Sequence, residues 1–183
     1  VTPGLVDIHM HAYATSGIRD AWAGDNSILP DGFSFRCGVT TMVDTGSAGW
    51  RNLEEFRNRV IDRCQTRLFA LINISGTGMT SIDHEQNLHD MDTDRVAATA
   101  REHADVVVGI KTAHYAGPEW ISVDRTLEAA EKASLPVMID FGYFRKERPY
   151  DVLLTEKLRA GDISTHIFRG PVPWFGADGK VLP

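Results

Sequence analysis

The chain has 183 residues, of which 43% are hydrophobic and 24% charged, enough to bury a substantial core as one domain over residues 1–183. A formal net charge of -6 and a pI near 5.6 argue against a general nucleic-acid binder, which would present a basic face. No apolar run approaches the ~20 residues that span a bilayer, and no signal peptide is visible, so no membrane partner is expected.

In chain order, short apolar runs alternate with helix-like stretches. Strands are expected at residues 5–9, 38–44, 67–74, 106–111, 136–140 and 162–166. The runs are β-branched and continuous rather than alternating, and Gly, Pro or Asp bound them, as in strands covered on both faces. Helices are expected over 50–64, where Leu53, Phe56, Val60 and Ile61 keep a helical spacing, and over 93–104, 122–133 and 149–159. Gly161 would then cap the last of these. Such alternation predicts a parallel sheet with right-handed crossovers. The fold class is therefore α/β: a partial (β/α)8 barrel holding about the first six strands, since a full barrel takes ~250 residues. An open doubly wound sheet is the alternative. The start at Val1 rather than Met, and an end at Pro183 without a terminal helix, suggest a piece of a longer chain.

Long loops follow the first strand (12–30) and the third (75–92), on the face where ligands bind in both architectures. Cys37 and Cys64 lie in unrelated segments and form no CxxC pair, which fits a reduced, cytoplasmic setting.

Three strand ends carry the chemistry. His9 and His11, two apart on an extended strand, aim two imidazoles the same way, as a metal ion requires. Hydrogen-bonded surface histidines are the plain alternative. Asp7 shares that side and could orient an imidazole through its second nitrogen. Lys111 closes the apolar run 106–110. Burial there would lower its pKa and expose a neutral amine able to take up carbon dioxide as a carbamate; otherwise its ammonium reaches the rim. His166 ends the sixth strand at the same mouth.

Other residues carry weaker signals. His114 and Tyr115 follow Lys111 and could touch substrate. Ser47 sits where a helix might start after Gly46, either binding a substrate carboxylate through nearby amides or simply capping. His84 and His89 lie in an acidic stretch read as solvated. Arg145, Lys146 and Arg148 read as a solvated basic face.

The series Pro3-Gly4-Leu5-Val6-Asp7-Ile8-His9-Met10-His11, Gly38-Val39-Thr40-Thr41-Met42-Val43-Asp44, Gly109-Ile110-Lys111 and Thr165-His166 resembles the amidohydrolase superfamily. Within it, the chain resembles the dihydroorotase-like amidohydrolase and deacetylase group, with Asp44-Thr45-Gly46-Ser47-Ala48-Gly49 as a further match. The resemblance implies one or two divalent ions, usually zinc. His9 and His11 would hold the more buried ion, a carboxylated Lys111 would bridge, and His166 would help hold the second. A hydroxide shared by the metals would attack an amide, N-acyl or cyclic-amide carbonyl. Where the family usually has a histidine at the fifth strand, this chain has Asp140, either a substitute ligand or the mark of a weakened outer site. The family's eighth-strand aspartate has no counterpart among these residues.

The expected activity is thus a metal-dependent hydrolase of carbon–nitrogen bonds other than peptide bonds, acting on a small molecule. An esterase or lactonase on the same site and a non-catalytic barrel scaffold are the alternatives, and a homo-oligomer is left open.

Overall fold

The computed structural model describes residues 1–168, 172 and 178–181. Leu182 and Pro183, part of the tail on which the reading of the C-terminal end rested, lie outside the described residues.

Among the described residues six strands form one sheet: Leu5–Met10 (β1), Val39–Gly49 (β2), Arg67–Asn73 (β3), Val107–Thr112 (β4), Val137–Ile139 (β5) and Ile163–Ser164 (β6). They run parallel in the order β1-β2-β3-β4-β5-β6. A doubly wound sheet reverses its strand order at a switch point. The strictly sequential order excludes it and gives an open arc of a (β/α)8 barrel.

The helices are Pro30–Phe33 (α1), Leu53–Phe56 (α2), Thr93–Glu102 (α3), Ile121–Ala133 (α4) and Tyr150–Val152 (α5). A π-helical turn, Arg57–Ile61, extends α2, and together they bury Leu53, Phe56, Val60 and Ile61. Asp92 caps α3 by accepting from the Asp94 and Arg95 amides. Ile72, Ile74, Ile110, Ile139 and Phe56 anchor the core that these helices share with the sheet, each buried side chain contributing roughly 1.5–3 kcal/mol.

Four expectations need correction. β1 is not covered on both faces: Leu5, Val6 and Ile8 are exposed, because β1 is an edge strand and the arc's inner side lies open. Residues 44–49 continue β2 rather than starting a helix, so Ser47 caps nothing. The last helix ends at Lys157 with Leu158 in an extended cap, and Gly161 falls in the following turn. There Asp162 accepts from the Arg159 amide and guanidinium, which fixes the reversal before β6. Arg148, read as solvated, is buried: it donates to the Tyr115 and Tyr143 carbonyls and lies 4.5 Å over the Phe141 ring. A guanidinium that satisfies two carbonyls and stacks on an aromatic face can leave solvent without a carboxylate.

Candidate metal centre

The site is built at the C-terminal ends of the strands. At β1, the pleat turns His9 and His11 to one side, with ring centroids 6.0 Å apart. The His9 Nδ1 meets Thr165 Oγ1 at 2.7 Å, beyond β6, and the His11 Nδ1 meets Ser47 Oγ at 3.0 Å on β2. Asp7 does not orient an imidazole nitrogen; its carboxylate accepts from the His9 backbone amide instead. Behind His11, the buried Asp44 accepts from the Ala12 and Ser47 amides at 2.7 and 2.8 Å, tying β1's exit to β2. Burial pushes Asp44 up to about 6 against the pull of these hydrogen bonds.

Burial, helped by the nearby Lys111, brings His9 down to about 4 and His11 down to about 3. Both rings are therefore neutral at pH 7. In the tautomer whose Nδ1–H donates to the hydroxyl, Nε2 carries a free lone pair.

Lys111 is 1% exposed, so its ammonium does not reach the rim. Its Nζ has one polar contact among the described residues, the Met138 sulfur at 3.6 Å. Burial pulls it down to about 8, although Asp140, Glu85 and Asp44 favour the charged form. Gly46 makes room for it: with φ at +88°, a Cβ there would lie 2.8 Å from Lys111 Cγ.

Asp140 follows β5 and is buried. Its Oδ1 accepts from the Gly142 amide at 3.0 Å, while Oδ2 lies 3.5 Å from His114 Nε2 and 3.4 Å from His166 Nε2. His166 sits two residues past β6, partly exposed, with its ring 4.7 Å from that of His9. His114 Nδ1 meets Glu85 Oε2 at 3.0 Å. Burial pulls the His114 ring down, but the Glu85 carboxylate outweighs it and the net shift is upward. An open cavity of about 530 Å³, lined by His9, Met138, Ser164, Thr165 and His166, adjoins these groups.

All the expected ligands, His9, His11, Lys111, Asp140 and His166, thus come to one mouth. Ser47 stands behind His11, its hydroxyl on the ring and its amide on Asp44. Glu85 was missed. It lies in the acidic stretch read as solvated, yet is 2% exposed, and no periodicity in that loop signals its burial.

The groups that gather here are two neutral imidazoles, a buried amine with no oxygen partner among the described residues, and a buried carboxylate. Among the described residues no group of three or more His, Cys, Asp or Glu side chains is arranged to hold a metal ion.

No protein-family model matches the chain. It is 32% identical to a deacetylase of Agrobacterium fabrum over 181 residues, covering 93% of this chain and 41% of that protein. A deacetylase of Brucella anthropi is likewise 32% identical, with 93% and 42% covered. The chain therefore spans about two fifths of the curated relatives it matches. Among solved structures, an adenine deaminase superposes with a TM-score of 0.84 at 24% identity, over 98% of this chain and 48% of that one. A dihydroorotase superposes at 0.77 with 30% identity, over 98% and 46%.

The resemblance to the amidohydrolase superfamily is borne out by these relatives. Its six-stranded arc is part of a (β/α)8 barrel, and the His-x-His at the end of β1 stands at that barrel's C-terminal mouth.

Proposed function

We propose that this chain carries most of the metal-binding side of an amidohydrolase that cleaves an amide, N-acyl or cyclic-amide carbon–nitrogen bond of a small molecule. The observation that carries the reading is Lys111, an amine 1% exposed, without an oxygen partner among the described residues, on the same mouth as His9 and His11. A structural lysine would be expected to reach solvent or pair with a carboxylate. The relatives named deacetylase, and the dihydroorotase neighbour, support hydrolysis at an amide-type carbonyl.

In this reading His9, His11, Asp140 and His166 hold one or two divalent ions, zinc by choice of donors. The neutral amine of Lys111 adds to carbon dioxide, releases a proton and becomes a carbamate that completes the ligand set. When bound, the ion polarises the scissile carbonyl and makes water a usable nucleophile near neutral pH. The Thr165 and Ser47 hydroxyls hold the two β1 imidazoles in register. His114, with its Nε2 3.5 Å from Asp140 Oδ2, would contact substrate. Two free cysteines, Cys37 and Cys64, fit the cytoplasmic setting we assign.

The test is hydrolysis by the full-length protein of N-acetyl amino acids and cyclic amides, set against matching esters and lactones. Turnover of the amides that stops on chelation and returns with zinc is expected. Amide turnover indifferent to chelators, or none at all, contradicts the reading; turnover of esters alone transfers it to the esterase alternative.

A further inference from the structure

Three tryptophans lie among the described residues, and their surroundings differ. Trp50 is half-buried: its Nε1 donates to the Asp90 carbonyl, and the Arg51 and Arg95 guanidinium groups lie 3.9 and 4.7 Å from its ring centroid. Trp120 is half-buried against Phe141, with the Lys157 ammonium 5.2 Å over its ring. Trp22 is 44% exposed, and its indole N–H has no hydrogen-bond partner among the described residues. Its ring contact is His11, at 5.3 Å between centroids and tilted by 34°.

The loop after β1 builds this exposure in. Ala21 is 4% and Ala23 0% exposed, so the chain on either side of Trp22 is sunk into the molecule while the indole is not. The Ser27 hydroxyl donates to the Trp22 carbonyl and the Ser16 hydroxyl to the Ala23 carbonyl. The Ala23 amide donates to the Met79 carbonyl at 3.1 Å, on the loop after β3, and the Ile28 amide to the His11 carbonyl at 2.8 Å, which closes the loop onto the end of β1. Gly24 packs so tightly that a Cβ there would lie 2.0 Å from the Ile18 carbonyl oxygen. A side chain presented from such a frame loses little freedom when it meets a ligand. An indole offers that ligand a broad apolar face with a polar N–H at its edge.

The neighbourhood defines what the face would meet. His11 belongs to the site, so a carbonyl held at the β1 histidines brings its substituents within reach of the indole beside them. The cavity next to His9 is walled by Ile8, Met138 and Ile163 as well as by Thr165 and His166, a lining suited to an apolar group.

We propose that Trp22 is a specificity-determining residue, a platform for an aromatic or bulky apolar group carried beside the scissile carbon–nitrogen bond. The inference rests on the amide-hydrolysing reading above and narrows its substrates to amides that carry such a group.

The test uses the full-length protein and substrate pairs that differ only in that group: N-acetylphenylalanine against N-acetylglycine, and a benzyl-substituted hydantoin against hydantoin itself. The parent is expected to favour the benzyl member of whichever pair it hydrolyses by at least about tenfold in kcat/KM. Trp22→Ala should lose about 5–20-fold on the benzyl member, mainly through KM, and far less on the small one. Trp22→Phe, which keeps a ring, should retain most of the preference. Excess benzyl substrate should also change the indole emission of the parent more than that of Trp22→Phe, a readout that stands should Trp22→Ala fail to fold. A parent without the preference, an equal loss on both members, no loss in Trp22→Ala, or equal emission changes overturns the role of Trp22 and leaves amide hydrolysis standing. A parent that hydrolyses no amide overturns both.

Discussion

Lys111 is the residue whose energetics are easiest to isolate. Lowering a lysine from 10.5 to about 8 costs the charged form about 3 kcal/mol at pH 7. Replacing it by Met, of similar volume and without a charge, should make the metal-free protein more stable by roughly 1–3 kcal/mol. A urea titration in chelator checks this; a less stable Lys111→Met would mean the amine has a partner. The β1 histidines add a pH dependence. Their folded values, about 4 for His9 and about 3 for His11, lie below the unfolded 6.5. On acidification the unfolded chain takes up these protons first, so stability is full above pH 6.5 and falls as pH drops through 4 towards 3. Asp44, raised from 3.8 to about 6, opposes this between those values, but with the smaller total shift. Melting of metal-free protein should therefore weaken below pH 6.5, and His11→Asn should flatten the slope; an unchanged slope would show that His11 is solvated. These histidines were legible in the sequence because a strand repeats every two residues. Glu85 was not, since the burial of a loop carboxylate depends on a histidine twenty-nine positions away in sequence.

At the scale of elements, β2 does more than its sequence suggests. Its apolar run stops at Val43, yet the strand continues to Gly49 because Asp44 and Thr45 are satisfied internally, by the Ala12 and Ser47 amides and the Met10 carbonyl. Polar residues in a strand look like its end when their partners come from another segment. That is why residues 44–49 read as loop and helix start. Asp44→Ala strands two buried amides, each worth about 1–3 kcal/mol, so a loss of about 2–4 kcal/mol is expected by urea denaturation. A loss under ~0.5 kcal/mol would mean that water replaces the carboxylate. Gly46→Ala puts a Cβ at φ +88° against the Lys111 stem. It should cost about 1–3 kcal/mol and reduce bound metal by displacing the amine; metal content equal to the parent would show that Lys111 is not held by this turn. The strand–helix alternation and all six strand positions were readable from apolar runs. Helix ends were less so, because π-turns at Arg57–Ile61 and Leu153–Lys157 leave the 3.6-residue period.

Across the whole molecule, sequential parallel strands make an arc with two edges, β1 and β6. Leu5, Val6 and Ile8 are exposed along β1, and Ile163 on β6. Uncovered strand edges with apolar side chains pair with other chains. Residues 1–183 prepared alone should therefore self-associate in light scattering, more strongly as concentration rises, and Val6→Lys with Ile8→Lys should reduce it. A sharply melting monomer at all concentrations would contradict that. The same architecture brings loops from six strands to one mouth, which lets residues as distant as His9 and Thr165 meet at 2.7 Å. The most direct test of that convergence is metal content. The full-length protein, dialysed against zinc and then buffer, should retain at least one equivalent per chain, and His9→Ala with His11→Ala should retain none. A parent without bound metal, or a double variant that holds as much as the parent, would contradict the account.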